Sequence, residues 1–222
     1  MARIQGPEDA RMETKPIGIR ILALSTGAIL FIEIALWLVV GGKSMVTLGL
    51  ARIVEGILIL SLASIFGEGW SSIGLERSRL GFGLKKGLIW SAGFGVVATL
   101  AFTVLFFLGI QALALLKVNL PKGTLELALF FAVGGIIAPV AEEIFFRGIL
   151  YGFFRRWGVA VAVILSTCLF VLPHMRAHAV PLTQAVGGVV FAVAYEVEGS
   201  LVVPITIHVL GNLALFTLSL II

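Results

Sequence analysis

The chain has 222 residues, 59% hydrophobic and 13% charged, with a formal net charge of +4; its mean hydropathy is +1.13 and its pI about 9.6. A soluble globular domain carries about a quarter of its residues as charges, so the composition excludes that class and reads as an integral membrane protein. Its basic residues lie at the ends of apolar runs, where anionic lipid and the positive-inside rule account for them, so nucleic acid is not an expected partner and the bilayer is.

Residues 1–16 form a short polar tail with Arg3, Glu8, Asp9, Arg11, Glu13 and Lys15. The apolar run behind it is too long for a signal-peptide core and lacks a small-residue cleavage pattern, so it is expected to be a retained first helix. Crossing a bilayer takes about 20 apolar residues. Runs of that kind lie at 17–41, 45–66, 86–114, 125–153, 159–174, 181–196 and 200–222. This predicts an all-α, polytopic transmembrane bundle of about seven helices, one integral membrane domain spanning 1–222. The 125–153 run is too long for one straight crossing, and Gly134, Gly135 and Pro139 give it a place to kink or break, with room for an eighth, short or re-entrant segment. The stretch 67–86 reads as an interfacial loop. Grouping Arg3, Arg11, Lys15, Arg20, Arg77, Arg79, Lys85, Lys86, Arg155 and Arg156 on one side, against Lys43, Lys117, Lys122 and Arg176 on the other, predicts a cytoplasmic N-terminus, in the cell membrane.

Several polar residues interrupt the apolar runs. Glu33, Arg52 and Glu55 come first; Arg52 and Glu55 are spaced i, i+3 and can neutralise each other, with Glu33 joining from the first helix, so structural pairing is expected. The stretch IIAPVAEEIFFRGILYG, 136–152, then places Glu142, Glu143 and Arg147 in surroundings as apolar as lipid. Ionisable residues in such places usually face a bundle interior and serve a function. Arg147 follows Glu143 by four residues, so it is expected to clamp that glutamate and leave Glu142, on another face, free to work. Burial raises a carboxylate's pKa, while Arg147 and a helix start near Pro139 would lower it, which makes Glu142 a tunable base.

Further on, Phe170 and His174 are i, i+4 in CLFVLPHMRAH, and His208 and Asn212 are i, i+4 in PITIHVLGNLALF. Each pair shares a helix face. Pro173 should disturb the helix and place His174 at its end, with Arg176 and His178 forming a polar mouth. Measured from the plane of Arg155, Arg156 and the 196–200 turn, at about 1.5 Å per residue, Glu142 lies about 20 Å in, His174 about 24 Å, His208 about 12 Å and Asn212 about 18 Å. Interhelical hydrogen bonding is the simplest role for such residues. A carboxylate, two imidazoles and a carboxamide in one slab can also do chemistry: Glu and His deprotonate water, and His and Asn donate to an oxyanion.

In this order and spacing, Glu142-Glu143-x-x-x-Arg147, Phe170-x-x-x-His174 and His208-x-x-x-Asn212 resemble the three motifs of the CPBP intramembrane proteases, the CAAX-protease and bacteriocin-processing (Abi) family. The resemblance covers 125–222. It implies a glutamic-type intramembrane endopeptidase without a cofactor, in which Glu142 and His174 activate water and His208 and Asn212 stabilise the oxyanion, with Glu143, Arg147 and Phe170 in support. Its partner would be a membrane-associated protein or peptide: a prenylated C-terminus, a bacteriocin leader or a C-terminal sorting tail. With a cytoplasmic N-terminus the site falls slightly toward the outer face, which favours an exported substrate. Alternatives are a zinc protease using Glu142, His174 and His208, although the His-Glu-x-x-His spacing is absent; a non-catalytic bacteriocin self-immunity protein; and a proton-relaying transporter, in which Asn212 would have no necessary role. The one cysteine, Cys168, precludes an internal disulfide. It lies on a different face from His174 and is expected to be a small buried hydrophobe.

Overall fold

The computed structural model describes residues 17–41, 44–67, 69–110, 112–175 and 181–221. Seven helical rods run through them: α1 (Ile19–Val40), α2 (Met45–Phe66), α3 (Leu80–Phe107), α4 (Thr124–Trp157), α5 (Val159–His174), α6 (Leu182–Glu198) and α7 (Val202–Ser219). Each expected apolar run corresponds to one rod, and no strand occurs among the described residues. By length and composition α1, α2, α3, α4 and α7 can each cross a bilayer, while α5 and α6 are shorter. Large apolar side chains such as Phe31, Trp37, Val97 and Phe106 face outward. That is the arrangement expected when hydrocarbon, not water, surrounds the bundle. The protein is an integral membrane protein.

Two expectations about the rods need correction. α3 begins at Leu80, not near residue 86, so the loop ends earlier and contains short 3-10 turns at Trp70–Ile73 and Arg77–Arg79. Lys85 and Lys86 are helical, and the Lys86 ammonium reaches Glu198 at 3.2 Å. A long flexible stem with a charged head lets lysine occupy a helix that is otherwise apolar. Secondly, α4 neither breaks nor re-enters. It runs unbroken for 34 residues, about 50 Å at 1.5 Å per residue, with π-helical turns at Val133–Ile137 and Ile144–Tyr151. The glycines and Pro139 loosen the hydrogen-bond ladder without ending the helix. No helix therefore starts near Pro139, and the dipole contribution expected there is absent: the N-terminus of α4 is at Thr124.

One end of the bundle is tied by charge. Arg155 makes a bidentate contact with Glu196 at 2.9 and 2.8 Å, to which the Tyr151 hydroxyl also donates at 2.7 Å. Arg79 donates to the Glu198 carbonyl at 3.1 Å, and Trp90 donates to the Glu198 carboxylate at 3.0 Å. Arg156 donates to the Ile17 carbonyl. The starts of α1 and α3 therefore meet the ends of α4 and α6, as the grouping of basic residues predicts. Arg3, Arg11, Lys15, Lys43, Arg176 and His178 lie outside the described residues.

Small residues set the helix spacing. A Cβ added at Gly87 of α3 would stand 2.5 Å from Thr206 Cβ of α7, so those two backbones approach as closely as only glycine permits. Between α1 and α2, Arg52 bonds Glu33 at 2.8 Å and also pairs with Glu55, forming the expected charge trio. Cys168 is exposed on the outer surface of α5, not buried. In a membrane an apolar outward position requires no burial in protein.

Candidate active site

The site forms where the middle of α4 meets α7, α5 and α6. Pro139 is its starting point. In the π turn the Ala138 N–H bonds to the Val133 carbonyl, and the next position, Pro139, has no N–H to offer Gly134. The Gly134 carbonyl is instead satisfied by the Asn212 carboxamide of α7, at 2.9 Å. One side-chain hydrogen bond thus fastens α7 to the loosened turn that precedes the two glutamates.

One turn further along α4, Glu143 and Arg147 are both fully buried and lie 2.8 Å apart. The expected i, i+4 clamp is present. His208 joins it: its Nδ1–H donates to Glu143 Oε1 at 2.8 Å, while its Nε2 stands 3.8 Å from Glu142 Oε2. The same Glu143 oxygen therefore takes both the guanidinium and the imidazole, and Oε2 of Glu143 has no hydrogen-bond partner among the described residues. Glu142 is the more open carboxylate, with a fifth of its side chain accessible (21%) against none for Glu143.

His174 occupies the last turn of α5, a 3-10 turn at Leu172–His174 that Pro173 imposes, so it sits at a helix end as predicted. Its Nδ1 lies 2.8 Å from the Phe170 carbonyl. An imidazole that donates from Nδ1 carries its lone pair on Nε2 when neutral, the form that can accept a proton. Phe170 separates the two imidazoles, with its ring 4.9 Å from His174 and 5.7 Å from His208.

The structure thus brings Glu142, Glu143, Arg147 and His208 into direct contact, attaches Asn212 to the same stretch of α4, and links His174 through the Phe170 ring. Among the described residues no three His, Cys, Asp or Glu side chains form a group that could hold a metal ion. Sequence reasoning missed the contribution of α6. The Gly188 carbonyl accepts from Arg147 at 3.0 Å, and Phe191 stacks on His208 with ring centroids 4.7 Å apart. The Gly187-Gly188 pair was the available signal, since adjacent glycines within a helix mark a close backbone approach.

A polytopic helical membrane protein with a buried carboxylate and imidazole cluster at mid-bundle defines a class in which hydrolysis within the membrane is chemically possible. Residues 124–214, from the start of α4 into the last turns of α7, match the family model described as Type II CAAX prenyl endopeptidase Rce1-like. The segment that carries all three motifs is therefore the part of the chain that is similar to that protease family. No curated protein matches the chain, and no solved structure matches it.

Proposed function

We propose that the protein is an intramembrane endopeptidase in which Glu142 and His174 activate a water and no covalent acyl-enzyme forms. The observation that carries this reading is the position of His208 between two glutamates, bonded to the buried Glu143 at 2.8 Å and 3.8 Å from the accessible Glu142. One carboxylate orients the imidazole while the other stays free for the substrate side. Glu142 and the Nε2 lone pair of His174 share removal of a proton from water, and the resulting hydroxide attacks the scissile carbonyl. In this mechanism the oxyanion takes one hydrogen bond from His208 Nε2–H and one from the second N–H of Asn212, whose first is given to Gly134. Collapse breaks the C–N bond, and the proton taken from water passes to the leaving amine.

The substrate in this reading is a membrane-associated protein or peptide. The family's prenyl-endopeptidase description favours a prenylated C-terminus, while a bacteriocin leader or an exported sorting tail fits a site that lies toward the outer face when the tied, basic end of the bundle is cytoplasmic. Comparing membrane-protein termini in cells with and without the gene tests the assignment: gene-dependent cut termini are expected. Their absence, with the protein present and folded, overturns the enzyme in favour of a peptide-sequestering immunity protein. Strong chelators are expected to leave cleavage unchanged; stoichiometric zinc whose removal and return track activity would replace the glutamate mechanism with a metal one on Glu142, His174 and His208.

A further inference from the structure

α6 carries none of the three motifs, yet two of its residues, Gly188 and Phe191, reach the site. The Gly188 carbonyl accepts from the buried Arg147 at 3.0 Å. The Phe191 ring lies flat against His208, 4.7 Å between centroids and 22° from parallel, and its face also stands 5.2 Å from the Arg147 guanidinium carbon. Gly188 makes this possible, because a Cβ there would come within 2.8 Å of Thr167 and hold α5 and α6 apart.

Among the described residues His208 has one hydrogen bond, at Nδ1, fixing one edge of its ring. A single bond tolerates tilt about that contact, and Nε2, on the opposite edge, moves furthest when the ring tilts. Phe170 stands nearly perpendicular to the imidazole, at 84°, with 5.7 Å between centroids. Phe191 covers a face. A stacked ring opposes tilt as an edge contact does not, and the guanidinium that Phe191 also touches is the one holding Glu143.

We propose that Phe191 is a positioning residue for the reaction: by stacking on His208 and against Arg147, it sets the direction of the His208 Nε2 toward Glu142 and the scissile carbonyl. The inference rests on the functional reading above. It assigns to α6 the role of supporting wall of the site, and it makes an aromatic face, not merely apolar volume, the requirement at position 191.

Three variants separate these demands. Phe191→Leu and Phe191→Met keep apolar volume without a flat face. Phe191→Tyr keeps the face and adds one hydroxyl at the ring tip. Each is produced at matched membrane levels in cells lacking the gene, and the ratio of cut to uncut termini is followed after induction. Misplacement of a reacting group by about 1 Å costs on the order of a hundredfold. Phe191→Leu should therefore lose about ten- to a hundredfold in processing, and Phe191→Tyr should stay within about threefold of wild type. In protein labelled with 15N-histidine, the His208 signals, identified by their loss in His208→Gln, should keep wild-type positions in Phe191→Tyr and shift or broaden in Phe191→Leu. If Phe191→Leu does not fold, Phe191→Met supplies the same comparison. Wild-type processing by either folded apolar variant, or equal losses in Phe191→Tyr and Phe191→Leu, overturns the inference. Normal processing by His208→Gln overturns the functional reading itself, whereas a dead His208→Gln beside a normal Phe191→Leu sinks only the role of Phe191.

Discussion

Two charge clusters within the bundle are built differently. Between α1 and α2, Arg52 is held by Glu33 and Glu55, so the cation has a carboxylate on each side. Between α4 and α7, Arg147 pairs directly with Glu143, and an imidazole competes for the same oxygen. Glu142, next to Glu143 in sequence, has His208 Nε2 at 3.8 Å and stays partly accessible. The first cluster closes on itself. The second leaves an accessible carboxylate beside an aromatic-caged imidazole. Charge within a membrane therefore does not define a site; an arrangement that leaves one ionisable group uncommitted does.

The largest expected effect is at that uncommitted group. Glutamine at 142 keeps size and hydrogen bonding but takes no proton, so Glu142→Gln should lower processing about a thousandfold or more while the protein remains folded. Terminal proteomics in complemented cells reads the rate, and detergent size-exclusion with thermal melting reads the fold. A Glu142→Gln protein that processes normally would erase the distinction between the two clusters.

Arg147→Met comes next and acts through stability. Arg147 and Glu143 are fully buried, and removing one partner leaves the other charge uncompensated, at a cost of about 3–5 kcal/mol. Thermal melting should drop sharply, and Glu143→Gln should share that behaviour because it strands Arg147. A melting temperature unchanged by Arg147→Met would show that the pair is not the clamp that orients His208.

Much of this contrast was legible in the sequence. The i, i+4 spacing of Glu143 and Arg147 dictated their pairing, the spacing of Arg52 and Glu55 dictated theirs, and Pro173 put His174 at a helix end, each because helical geometry converts spacing into contact. The unseen parts depend on register between helices. Nothing in the local pattern of α6 says that Phe191 meets His208, since an apolar residue in an apolar helix carries no mark of its partner. The π turns of α4 were also hidden: glycines and a proline announce a weak ladder but not whether it breaks or shifts. Cys168 was misjudged because a small thiol is read as buried by habits formed in water, and here the exterior is as apolar as the core.

Asn212→Ala should have a smaller effect than the loss of the base, and a double one. Losing an oxyanion donor costs about a hundredfold in rate, and leaving the Gly134 carbonyl without the carboxamide costs about 1–3 kcal/mol of stability. The two can be separated by measuring processing well below the melting transition. A stability loss with wild-type processing would make Asn212 a tie between α7 and α4, comparable to the Glu33 contact across α1 and α2, and would remove it from the oxyanion.

The smallest effect is expected at Glu33, and it tests the comparison most sensitively. Glu33→Gln leaves Arg52 paired with Glu55, so the remaining cluster is neutral, and a partly exposed ion pair is worth about 0–1 kcal/mol. Processing should stay within about threefold of wild type, since 1.4 kcal/mol would correspond to tenfold. The clusters are nevertheless neighbours: Glu142 is among the carboxylates whose charge acts on Arg52. Removing Glu33 frees more of the Arg52 field for Glu142, and it does so without touching α4, α5, α6 or α7. If a folded Glu33→Gln protein lost more than about tenfold in processing, the trio would be acting on the base through that field. The boundary of the site would then move from α4 back to α1, outside the segment that matches the protease family.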